Sequence, residues 1–159
     1  MYPTHPSNKY PSAGLLKRFA AMVYDSLLLI ALGLAYGALA TGLKVGLEGA
    51  PPQGEALDWG AWRLPLFLGL LLVWGGFFYY FWGRNGQTLG MRAWRLQLVD
   101  ASTGKPTNPR QRLLRLPIAA LSLACAGLGY FWGWLDPQGL CLPDRLSQTR
   151  VLQLPKESS

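Results

Sequence analysis

The sequence predicts an all-α membrane protein: a helical bundle of about three transmembrane segments carrying a small cytoplasmic strand or hairpin element. Three observations predict it. Half of the 159 residues are hydrophobic and only 14% are charged, against roughly 25% in ordinary globular chains, so a fully wetted surface is hard to assemble. The apolar residues gather in blocks near the roughly 20 residues of helix that a hydrocarbon core requires. The basic residues behind the formal charge of +7 flank those blocks or collect in one connecting loop, as the positive-inside rule and anionic headgroups arrange them. That distribution argues against nucleic acid as the partner, although the net charge alone would allow it.

Residues 1–12 are polar and interrupted by Pro3, Pro6 and Pro11, and read as a flexible tail. The membrane domain covers 13–154, with spans at about 15–41, 64–82 and 116–135, and 155–159 form a C-terminal tail. Lys17 and Arg18 stand at the entry to the first span, which marks a start on the cytoplasmic side. From Phe19 to Ala40 its one formally charged residue is Asp25. A signal peptide is the rival reading, because Ala38, Leu39 and Ala40 resemble a cleavage site. The internal carboxylate, the preceding tail and the later apolar blocks favour a retained span.

Residues 43–63 are expected to form an acidic loop on the outer side, with Glu48, Glu55 and Asp58 against Lys44 and Arg63. The second span closes on the aromatic run Phe77 to Trp82, which is expected at headgroup level. The loop that follows, 83–115, is the most basic stretch. Arg84, Arg92, Arg95, Lys105, Arg110, Arg112 and Arg115 face the single acid Asp100, so this loop and the N-terminus are expected in the cytoplasm of a bacterial inner-membrane protein. Trp94 to Val99 alternates like a strand, and Asp100 to Lys105 reads as a turn. Pro109 fits the first position of a helix.

Leu116 to Leu135 is apolar enough for a third span, ending in the belt Tyr130, Trp132 and Trp134. Counting spans then puts the C-terminus outside, against the preference of Arg145, Arg150 and Lys156 for the cytoplasm. Re-entry as two half-helices broken at Gly127, Gly129 and Gly133 is the alternative, since irregular backbone is tolerated at membrane depth where protein or a water-filled cavity surrounds it.

Asp25 is the residue that most demands an explanation. An ionisable group inside a bilayer costs about 2.5–3.5 kcal/mol on insertion scales, and it pairs, faces a bundle interior or marks an ion path. Arg18 shares its helix face but lies about 10 Å away along the axis. Asp25 is therefore a structural acid held by donors from another segment, a proton or cation site, or, if the helix starts deeper in the chain, a group exposed to headgroup water. Gly33 with Gly37, and Gly129 with Gly133, are small-residue pairs that permit close helix packing, within the chain or between copies. Cys125 and Cys141 lie in no metal-ligand pattern and read as packing residues; neither a metal nor a cofactor is expected. The histidine, His5, lies in the tail and the serines and cysteines have no evident base, so an enzyme is not expected.

These residues resemble the RDD family of small bacterial membrane proteins, named for one arginine and two aspartates. The likeness runs from about residue 13 to 152. The family's arginine and first aspartate correspond to Arg18 and Asp25 in LLKRFAAMVYDSLLL, and its second aspartate to Asp144 in PDRLSQTRVL. The stretch GRNGQTLGMRAWRLQLVD resembles the glycine-rich motif after the second span, including Gly86, Gln87, Thr88, Gly90 and Met91. Members commonly carry a histidine just before the second aspartate; Pro143 stands there, so no relay through that histidine carries over. The resemblance implies transport of unidentified ligands, and it suggests that Arg18 pairs with Asp144 if the last segment returns to the cytoplasmic face.

Two functions compete on this reading. One is transport or cation/proton exchange through a homo-oligomer, because two or three spans are too few to enclose a path. The other is a non-catalytic scaffold or assembly partner whose basic loop engages anionic lipid headgroups of the bilayer or another protein.

Overall fold

The computed structural model describes residues 10–155. The described residues are mostly helical with one small two-stranded sheet, and the chain divides into two compact units. Helix α1 (Leu15–Glu48) and helix α2 (Arg63–Arg84) are each long and apolar enough to cross a membrane. At 1.5 Å per residue α1 is about 51 Å long, well beyond a hydrocarbon core of about 30 Å. It continues through Glu48, past the expected end of the span at 41 and into what reads as loop. Glycines and a lysine mark a loop in water, but here Lys44 is buried and ion-paired to Glu48 one turn on, and Glu48 also accepts the Trp62 indole N–H at 2.9 Å.

One unit, Ser26–Gly76, is the helical hairpin made from the remainder of α1 and the start of α2. Hydrogen bonds from aromatic side chains to backbone join its two arms: Trp74 donates to the Leu29 carbonyl at 3.0 Å and Tyr36 to the Leu66 carbonyl at 3.0 Å. Gly33 lies under the Trp74 ring, while nothing approaches Gly37. Only the first member of that small-residue pair is used for packing inside the chain. Leu27, Ile30, Leu34, Phe67 and Leu72 face outward, an apolar exterior far larger than a water-soluble monomer exposes.

The other unit, Met1–Asp25 with Phe77–Ser159, holds the sheet and the buried polar groups. Strand β1 (Leu96–Asp100) pairs antiparallel with strand β2 (Thr149–Gln153), from Leu96 opposite Gln153 to Asp100 opposite Thr149. The expected strand therefore exists, but its partner comes from the C-terminal stretch and not from a local hairpin. Both edges are covered, which removes the hazard of open strands. The N-terminal segment lies along β2 through Ala13 N to Val151 O and Gln153 N to Pro11 O, while Leu98 N donates to Gly86 O on the far side of β1. Asp100 closes the turn after β1 by accepting from the Ser102 and Thr103 amides and hydroxyls.

Three short helices and one longer one complete this unit: α3 (Leu89–Ala93), α4 (Pro109–Ala124), α5 (Leu128–Leu135) and α6 (Leu142–Leu146). Pro109 does begin a helix, where Asn108 and Gln111 exchange side-chain and backbone hydrogen bonds as a capping box. The segment read as a third span, 116–135, is not one helix. It breaks after Ala124 and the axes of α4 and α5 diverge by 97°. Ala126 and Gly127 occupy left-handed backbone at the break, with φ of 52° and 78°. Gly129 lets α5 close on α4, since a Cβ there would lie 2.2 Å from the Ser122 hydroxyl, and Gly133 packs against Cys141. Trp82 is buried in the core with Ala21, Met91, Leu96 and Leu98.

Candidate functional site

The two aspartates serve two separate arrangements. Asp144 sits in the first turn of α6, where the positive helix end favours an acid, and it is fully buried. Its two oxygens meet different guanidinium groups: Arg18 Nη1 lies 2.7 Å from Oδ2 and Arg115 Nη1 lies 2.7 Å from Oδ1. Each arginine is held in turn. Arg18 Nε donates to the Ala13 carbonyl at 3.0 Å, and Arg115 Nη1 donates to the Thr149 hydroxyl at 2.6 Å while its guanidinium lies 5.5 Å from the Trp82 ring centre. Burial opposes ionisation of Asp144, but the two flanking cations overcome it and hold the carboxyl below its ordinary value.

This cluster clamps the start of α1, the middle of α4, the first turn of α6 and the start of β2. Ser147 reinforces it by donating to the Pro143 carbonyl at 2.5 Å and sharing a hydrogen bond with the Thr149 hydroxyl. Pro143 lies in the opening positions of α6, where its fixed φ suits a helix start. Arg115 is the site residue that sequence reasoning missed, having been counted only among the loop cations. The available signal was its position immediately before an apolar stretch that a free guanidinium would avoid.

Asp25 is held by the glycine-rich motif. Its Oδ2 accepts from the Thr88 hydroxyl at 2.5 Å and its Oδ1 from the Gly90 amide at 2.9 Å. Thr88 caps α3 by accepting from the Met91 amide. Gly90 is required by close approach, because a Cβ would fall 2.2 Å from the Ala21 carbonyl oxygen and 2.9 Å from the Asp25 carboxyl carbon. Gly86 turns the chain out of α2 with φ of 66° and presents its carbonyl to Leu98, while the Gln87 amide donates to the Leu96 carbonyl at 2.7 Å. Gly86, Gln87, Thr88 and Gly90 thus dock one turn and one short helix against α1 and β1. Arg18 and Asp25 do not pair with each other: each has partners from later in the chain.

Apolar helices that cross a bilayer, joined to a polar unit closed by buried ion pairs, define an integral membrane protein. The RDD family model matches residues 12–148, a range that contains Arg18, Asp25, Asp144 and the glycine motif, and the chain belongs to the RDD family. Comparison with curated proteins and with solved structures finds no match to this chain.

Proposed function

We propose that the protein is a non-catalytic scaffold or assembly partner of the bacterial inner membrane. The observation that carries this reading is that Arg18, Asp25 and Asp144 are all committed to contacts that join segments: Asp144 to two arginines, and Asp25 to Thr88 and Gly90. Asp144 borders a cavity of about 610 Å³ with Asp136 and Arg145, but both of its oxygens are taken by the two arginines. The N-terminus and the 83–115 loop lie in the cytoplasm on this proposal. Exposed Arg84, Arg92, Arg95, Lys105 and Arg110 meet anionic headgroups there, each basic group contributing about 1 kcal/mol near a charged surface.

One observation favours the second reading, transport or cation/proton exchange by a homo-oligomer. The donors to Asp25 are a hydroxyl and an amide, both neutral, so no cation fixes the buried carboxylate in its charged form.

Reconstitution in liposomes containing a pH dye, under imposed sodium, potassium and proton gradients, separates the two. The scaffold reading expects no flux from the wild type and a lower unfolding temperature for Asp25→Asn. Flux in the wild type that disappears in a folded Asp25→Asn protein overturns it in favour of exchange.

A further inference from the structure

The pairing of β1 with β2 restricts how the intervening chain meets the membrane. A two-stranded ladder does not form across a bilayer, since only helices and closed barrels span one, so Leu96–Asp100 and Thr149–Gln153 share one aqueous side. The chain between them therefore crosses the bilayer an even number of times. Two crossings need two helices of about 20 residues. The helices between them are α4, about 24 Å long, α5, about 12 Å long and bent 97° from α4, and the single-turn α6, about 8 Å long. The count of crossings is zero.

The same segment is nevertheless built for hydrocarbon. Leu121, Leu123, Leu128, Trp134 and Leu135 all project outward. Between α4, α5 and α6 lies a groove of about 380 Å³ whose lining includes Ile118, Leu121, Leu128, Trp132, Leu142 and Leu146. The break itself is prepared for a medium without water, because its amides bond within the chain: Cys125 N to Leu121 O, Gly127 N to Leu123 O and Leu128 N to Cys125 O. The charge distribution sets the depth. Arg110 and Arg112 stand in the first turn of α4, and the apolar stretch after Arg115 rises about 14 Å before the break, close to half of a 30 Å core.

We propose that α4–α5 is a re-entrant wedge seated in the acyl chains of one leaflet, on the side of the β1–β2 sheet, with lipid hydrocarbon filling its groove. Arg110 and Arg112 lie at the phosphate level and the Cys125–Gly127 break at the tip. The wedge gives the protein a grip on a single leaflet in addition to its two spans, and it holds whichever function the charge clusters serve.

Cys125 is exposed at the tip and Cys141 is buried, so the full chain takes a fluorophore at the tip without further engineering. In vesicles of brominated phospholipid, the label on Cys125 should lose most of its emission, while aqueous iodide should leave it unchanged. In a Cys125→Ser, Cys141→Ser chain, Ser102→Cys in the turn after β1 and Gln138→Cys after α5, introduced one at a time, should react with an impermeant maleimide in the same vesicle orientation, both in right-side-out or both in inverted vesicles. Reaction of the two positions from opposite sides shows a full span and overturns the wedge. A Cys125 label quenched by iodide and indifferent to bromine places the segment in water and overturns it equally.

Discussion

The Asp25 carboxylate accepts the Gly90 amide proton at 2.9 Å, across 65 residues of sequence. The contact joins the first apolar helix to the glycine motif after the second, and it is so close that the partner has no room for a side chain. Gly90→Ala should therefore be costly. Its Cβ would lie 2.2 Å from the Ala21 carbonyl oxygen, a backbone atom of a long helix that cannot rotate away, and overpacking of this kind costs typically 1–3 kcal/mol. Gly37→Ala, with nothing within 4 Å, should be neutral or slightly stabilising, because alanine is the better helix former. Thermal unfolding of both variants in detergent checks the contrast.

Replacing Asp25 itself should give a graded result. Asn retains an oxygen for the Gly90 amide but sets an NH2 group where Oδ2 accepted from the Thr88 hydroxyl, so that contact persists only if the hydroxyl turns to accept. Ala leaves the amide and the hydroxyl without an acceptor, and an unsatisfied buried group costs about 1–3 kcal/mol. The expected order of unfolding temperature is wild type, then Asp25→Asn, then Asp25→Ala. An Asn variant as unstable as Ala would mean that the negative charge, and not the hydrogen bonds, holds the motif.

The grip of Arg18 and Arg115 on Asp144 should be strongly cooperative. Asp144→Asn leaves two guanidinium groups buried without a counter-charge, and breaking such a pair costs about 3–5 kcal/mol. Arg115→Met alone leaves Asp144 with Arg18 and should cost less. In a double-mutant cycle, Arg115→Met in the Asp144→Asn background should be much less harmful than in the wild type, or even beneficial, because it removes one of the stranded cations. Additive losses would show that the arginine acts through packing on Trp82 instead.

The first two apolar helices and the three charged residues were legible because their signals are local, long apolar runs and charges where charge is expensive, whereas the third apolar run hid a 97° break. The pairing of Arg18 with Asp144 was legible only as a condition on how the last segment returns. The partner of Asp25 was not, because a hydroxyl and a backbone amide leave no mark that separates them from any other turn. Strand β2 escaped notice for a related reason. Thr149 to Gln153 is short, lies near the chain end and gains its ladder from residues some fifty positions earlier. The helical run from Gly42 to Glu48 escaped because glycine-rich propensity is a weak prior that the Lys44, Glu48 and Trp62 contacts override.

The two cysteines should separate cleanly in reactivity. Cys125 is exposed, whereas Cys141 is buried beside Tyr130, donates to its carbonyl at 3.4 Å, and has its thiol pushed above the ordinary value by burial. The thiolate is the reactive form, so a maleimide should modify one thiol quickly in the folded protein and the second only after denaturation. Two fast thiols would mean that α6 opens readily from α5, and Cys125→Ser would identify which thiol remained.

Acid should unfold the polar unit through a defined window. Asp144 ionises below its ordinary value of 3.8 because Arg18 and Arg115 outweigh the burial that opposes its charge. Asp100 is lowered too: burial works against it, but donors from Ser102, Thr103 and Gln111 prevail. For a carboxylate whose folded pKa is depressed, the unfolded chain binds protons first as pH falls, so its stabilisation is intact above about 3.8 and is lost as pH drops from there through the folded value. Unfolding temperature in detergent should therefore show no pH dependence from these two groups between pH 7 and 5, where their stabilisation is fully present, and should fall steeply below 4. Asp144→Asn should start lower at pH 7 and show a shallower acid limb, retaining only the part due to Asp100 and the remaining carboxylates. An acid limb of unchanged depth in that variant would mean that Asp144 does not carry the charge that the two arginines are arranged to hold.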